Sequence, residues 1–150
     1  MTTSRGILNA TLDVAMILKD AGAVTTSGAA QVGGVARVLN VGPAFMQGVF
    51  TVDFNVLDLT SADEGYEVRL QASSDPTFAS DVSVIATLRA GTATGNSAEG
   101  AVGIGRRQAA FVNVSEDGKP LQYLRAYIVV SGTTPSINCQ AFIGQNPLNG

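Results

Sequence analysis

The chain has 150 residues, with 9 Lys+Arg against 12 Asp+Glu and a formal net charge of -3. It contains 0 His and 1 Cys, which excludes histidine-activated nucleophiles, His-ligated metals and cysteine-built zinc or iron–sulfur sites. The acidic balance excludes a general electrostatic grip on nucleic acid, and no apolar run approaches the roughly 18 residues of a membrane span.

The length fits one domain covering residues 1–150. Residues 1–11 carry no strand pattern and no long apolar run. They are expected to form an N-terminal arm, not a secretory leader. Residues 14–18 are a short strand candidate, although LDVAMILKDAG also fits two helical turns ending at Gly22. Residues 35–39 are a second short candidate.

The clearest strand spans residues 49–56. Phe50, Val52, Phe54 and Val56 alternate with Thr51, Asp53 and Asn55, which places four apolar side chains on one face. Next, Tyr66, Val68, Leu70 and Ala72 form an inward row, with Glu67, Arg69 and Gln71 facing outward. Val82, Val84, Ala86 and Leu88 form another apolar row. Ala110, Val112 and Val114 follow, with Phe111 on the opposite side. Residues 121–131 are denser in apolar side chains, which implies a strand covered on both faces or lying at a subunit contact. Ile137, Cys139, Ala141 and Ile143 close the series.

The separators are turn chemistry: Gly42-Pro43, residues 62–65, Ser74-Asp75-Pro76, residues 116–120 and residues 132–135. Residues 91–105 are Gly-rich and predict a long loop. Residues 145–150 predict a C-terminal arm. About eight short strands between such turns predict an all-β fold, a jelly-roll-like antiparallel β-sandwich with extended terminal arms.

Few residues carry chemistry. Gly103-Ile104-Gly105 lacks the third glycine of a dinucleotide loop, and no helix follows. Asp75 and Asp81 flank a loop that is read as a turn plugged by Phe78, not as a calcium site. Asp63 and Glu64, as neighbours on an extended chain, do not converge as an acid/base pair and are read as a solvated turn. Ser115 has no activating base beside it. Cys139 sits within an apolar alternation and is expected to be an inert core thiol. No catalytic residue, cofactor site or metal site is predicted.

Three segments resemble one family. LKDAGAVTTSGAA (residues 18–30), YEVRLQASSDPTFAS (66–80) and LQYLRAYIVVSGTTPSINCQAFIG (121–144) occur in the order and spacing of the small cement, or capsid-decoration, proteins of tailed bacteriophages. The chain departs from them in its extra residues 1–17 and in the length of the 91–105 loop. The resemblance implies a non-enzymatic jelly roll on the virion exterior. Its partners would be the major capsid protein and copies of itself, with a dimer favoured and a trimer possible. The contacts expected on that reading are Thr2, Thr3, Ser4 and Arg5, then Arg106 and Arg107, and finally Asn146, Pro147, Leu148 and Asn149. The alternative is a tail or fibre binding module for a host glycan, although the chain has 0 Trp to serve as a sugar platform.

Overall fold

Period-two alternation and frequent turn residues leave the backbone little choice but paired strands. The computed structural model describes residues 16–92 and 103–144, and among these it contains twelve strands. Six are pieces of two or three residues: β1 (Ile17–Lys19), β2 (Ala23–Val24), β3 (Gly28–Ala29), β4 (Gln31–Val32), β5 (Val35–Ala36) and β6 (Leu39–Asn40). Six are long: β7 (Gln47–Leu57), β8 (Gly65–Ser73), β9 (Ser83–Gly91), β10 (Gly105–Val112), β11 (Tyr123–Ser131) and β12 (Ile137–Gly144). The long strands match six of the expected segments. The two short candidates near the N-terminus correspond to broken edge pieces, so the count exceeds the expected eight. Residues 17–19 are a strand, not the helical alternative. The proposed arms, and residues 93–102 of the proposed loop, lie outside the described residues.

The strands form two antiparallel sheets and a separate β4–β5 hairpin. The first sheet runs β1-β12-β7-β10, with β2 also on β12. The second runs β3-β11-β8-β9, with β6 also on β11. With β1 and β2 sharing one edge position, and β3 and β6 another, the chain passes through eight positions. Position 1 pairs with 8, 2 with 7, 3 with 6 and 4 with 5. This is a long antiparallel hairpin wrapped into two layers, the winding of a jelly roll.

The inner faces supply the core. Phe50, Val52, Phe54, Ile137, Cys139, Ala141 and Ile143 meet Tyr66, Val68, Leu70, Ala72, Leu124, Ala126 and Ile128, all essentially without exposure. Three expected rows are corrected by the register. In the β7–β12 pair a bulge leaves Asn55 without a partner, since Asn138 faces Val56 and Cys139 faces Phe54. The extra residue turns Val56 outward, to 59% exposure. In the β8–β9 pair a second bulge leaves out Ile85, so Val84 faces outward beside Gln71 and is exposed, as is Val82. On β10 the buried residue is Phe111, while Ala110 and Val112 face solvent, the reverse of the expected apolar row.

Candidate interaction surface

Arg106 and Arg107 are neighbours on an extended strand, so their side chains leave on opposite faces. Arg106 lies directly across from Asp53 on β7. It donates to both carboxylate oxygens, at 2.6 and 2.8 Å, and its guanidinium lies 5.6 Å from the Phe142 ring. The hydrogen bond to Asp53 raises the already high pKa of Arg106. Arg107 instead turns over Phe54, 4.7 Å from the ring, and donates to the Gly103 carbonyl. Burial lowers its pKa, and its Nη1 has no hydrogen-bond partner among the described residues. The two arginines therefore do not form one contact patch. Thr2, Thr3, Ser4, Arg5, Asn146, Pro147, Leu148 and Asn149 lie outside the described residues.

The carboxylates singled out in the sequence are engaged locally. Asp75 accepts hydrogen bonds from the backbone and hydroxyl of Thr77 and from the backbone of Ala79, which holds its carboxyl below the usual range. Asp81 accepts from the Ser74 hydroxyl. Asp63 accepts from the backbone and hydroxyl of Thr133, and its pKa falls for that reason. Glu64 is not solvated as expected. It is fully buried and accepts the backbone N–H groups of Ser61 and Asp63, so it closes its own turn. Ser115 serves a turn, accepting the Lys119 amide on its hydroxyl. Gly105 opens β10 and leads to no helix. Cys139 is buried, and burial pushes its thiol up to about 11.

The polar side chains that converge lie elsewhere, on the outer face of the second sheet. Register arranges them in three rows across β11, β8 and β9. The first row is Arg125, Gln71 and Val84; the second is Tyr127, Arg69 and Thr87; the third is Val129, Glu67 and Arg89. The Glu67 carboxylate bridges two arginines, taking Arg69 Nε at 2.8 Å and Arg89 Nε at 3.0 Å. Burial pushes the Glu67 carboxyl up, but the hydrogen bonds and charges of Arg89 and Arg69 outweigh it and hold the group below its usual range. Arg125 Nε donates to Gln71 Oε1 at 2.8 Å. Its guanidinium lies 4.3 Å from the Phe78 ring and 5.3 Å from Tyr127, and burial lowers its pKa.

The loop from Ser74 to Asp81 exists in this shape to deliver Phe78. Asp75 organises the turn, and Phe78 takes a left-handed backbone with φ 56, uncommon for a bulky residue. Its ring is 8% exposed, so the plug expected from sequence is present. The sequence reading missed this surface as a unit. Its signal was the outward row Glu67-Arg69-Gln71 and the density of residues 121–131. Which strands lie side by side was not in that signal.

No family model matches the chain, and no curated protein matches it.

Proposed function

We propose that this protein is a non-enzymatic capsid-decoration protein of a tailed phage, bound outside the major capsid shell and stabilising contacts between capsomers. One observation carries the reading: the loop groups that could have carried chemistry, Asp63, Glu64, Asp75, Asp81 and the Ser115 hydroxyl, are engaged in structural hydrogen bonds, while one broad sheet face bears arginine, tyrosine and valine. Such a surface has the composition of a protein–protein interface, rich in Arg and Tyr at its centre. The jelly-roll winding and the ordered segment resemblance support the same conclusion. A rigid sandwich repeated by lattice symmetry stabilises a shell by binding only its assembled form, and repeated contacts add avidity. Association into dimers belongs to this proposal, with trimers as the other closed arrangement.

The test is made on particles. The chain should be present in purified virions at a fixed ratio to the shell protein, and particles lacking it should rupture at lower temperature and milder osmotic shock. Virions without the chain, or shells equally stable without it, would reject the reading. A specific hit on a glycan array would replace it with a host-recognition module.

A further inference from the structure

We infer that the cavity beside β2 and β3, at the edge where the two sheets meet, is a carboxylate-binding site built on the Lys19 ammonium. Its ligand class is a monocarboxylate with a short apolar body, supplied as a free acid or by a protein segment. The assignment does not depend on the decoration reading. β1 joins β12 in an irregular register: Ile17 lies opposite Phe142, but Lys19 lies opposite Ala141. Directly opposed residues share a face. Ala141 is fully buried, so the irregularity sends Lys19 inward and leaves it 3% exposed.

A lysine is almost never buried to that degree without a countercharge. Among the described residues no carboxylate lies within ion-pair distance of the Lys19 ammonium. The ammonium donates to the Asp20 carbonyl at 2.7 Å and to the Gly22 carbonyl at 3.0 Å. It carries three N–H donors, so one donor and the positive charge remain unmatched at the cavity wall.

The cavity measures about 610 Å³, within the roughly 300–1,000 Å³ usual for small-ligand sites. Lys19 lines it from the first sheet, and the paired Gly28 and Ile128 line it from the second. Ile128 and Ala30, both buried, give it an apolar floor. A Cβ added at Gly28 would meet nothing within 4 Å, so the apolar body of a ligand has room there. Thr25 and Thr26 also line the cavity, and among the described residues their hydroxyls make no protein hydrogen bond. Asp20 limits the charge of the ligand. It lines the same cavity, where its Oδ2 accepts the Gly33 N–H at 2.8 Å. Its carboxylate opposes a second negative charge, so a monoanion in contact with the ammonium fits and a doubly charged phosphate does not.

The experiment follows backbone amide resonances of the full-length protein as sodium butyrate replaces sodium chloride at constant ionic strength. Wild type should show saturable shifts around Lys19, Gly22 and Gly28. Lys19→Met removes the charge and should bind at least roughly tenfold more weakly, while Arg106→Gln should bind like wild type. Lys19→Met also gives up two carbonyl contacts, so Gly28→Leu is the second variant. It fills the open part of the cavity and keeps Lys19 with its bonds. It should lose binding to the same degree while its thermal midpoint stays near that of wild type. Acetyl-Ala-Val with a free C-terminal carboxylate, and the same peptide as its amide, separate the two sources. Tighter binding of the free-acid peptide than of butyrate, with the amide silent, assigns the carboxylate to a protein segment. Binding of butyrate with both peptides silent assigns it to a free acid, and either result upholds the site. Absence of saturable shifts with butyrate and with the free-acid peptide, or equal binding by wild type and the folded variants, would overturn it. Tighter binding of inorganic phosphate than of butyrate would overturn the monocarboxylate assignment.

Discussion

The side-chain carbonyl oxygen of Asn113 accepts the backbone N–H of Met46 at 2.5 Å, across 67 positions of sequence. The same side chain donates to the carbonyls of Ala44 and Leu121. Its backbone bonds Met46 and Leu121 as well. One fully buried asparagine thus ties the entrance of β7 to the connection between β10 and β11.

Replacing Asn113 by Ala removes the side-chain partner of the part-buried Met46 amide and of the Ala44 and Leu121 carbonyls, the last of them buried. Unsatisfied buried groups cost about 1–3 kcal/mol each, so Asn113→Ala should lower stability by at least that much in urea unfolding. Asn113→Asp keeps the acceptor but sets a carboxylate against two carbonyl oxygens. It should be worse near neutral pH than in mild acid. Equal stability of wild type and Asn113→Ala would show that the clamp contributes nothing.

Gly132 tests the turn that Glu64 closes. Its φ is 99, and a Cβ there would lie 2.6 Å from the Asp63 carbonyl oxygen. Gly118, with φ 78, has nothing within 4 Å of the same virtual atom. Left-handed strain of about 1–3 kcal/mol applies to both, but only Gly132→Ala adds a backbone clash. Its thermal midpoint should fall well below that of Gly118→Ala.

The bulge in the β7–β12 pair predicts opposite outcomes for two valines that simple alternation treats alike. Val52 is fully buried, while Val56 is 59% exposed. Val52→Thr buries an unpaired hydroxyl and should cost about 1–3 kcal/mol. Val56→Thr should stay within about 0.5 kcal/mol of wild type. Similar losses from both substitutions would place the bulge elsewhere.

Cys139 links stability to alkaline pH. Burial raises its thiol to about 11, and the Lys19 charge draws it only weakly downward. An unfolded thiol titrates near pH ~8.5. The folded state therefore holds the proton longer, and this contribution is complete below the unfolded pKa and lost as pH rises through about 11. The stability of wild type relative to Cys139→Ala should fall by about 1–3 kcal/mol across that window. A disulfide-exchange reagent should not label native protein at neutral pH. Rapid labelling without unfolding would contradict the burial.

The Arg106–Asp53 pair is well formed, yet the Arg106 side chain is 56% exposed. A double-mutant cycle with Arg106→Ala and Asp53→Ala should give a coupling below about 1 kcal/mol that shrinks with salt. A coupling that persists in high salt would mark the site as more enclosed than its exposure indicates.

The alternation of Tyr66, Val68, Leu70 and Ala72, and that of Ile137, Cys139, Ala141 and Ile143, made their inward rows legible directly. A two-residue period has only two outcomes, and burial chooses one of them. The same arithmetic failed at Val56 and Val84, because one extra residue in a bulge reverses the side chains that follow and composition does not mark where the extra residue falls. At Phe111 the alternation held without a bulge, and packing buried the face that carries one large ring rather than the face with Ala110 and Val112.

The candidate surface divides in the same way. By itself the sequence determined the all-β class, the absence of histidine chemistry, and a polar outward row at Glu67, Arg69 and Gln71, because these follow from composition and local periodicity. Tertiary structure alone decided that Arg125 on β11 and Arg89 on β9 would flank that row. It also decided that Arg106 would be neutralised by Asp53, and that Phe78 would travel to Arg125. Those relations depend on which strands become neighbours when the chain wraps, and strand neighbourhood is set by the packing of the whole core rather than by any short stretch of residues.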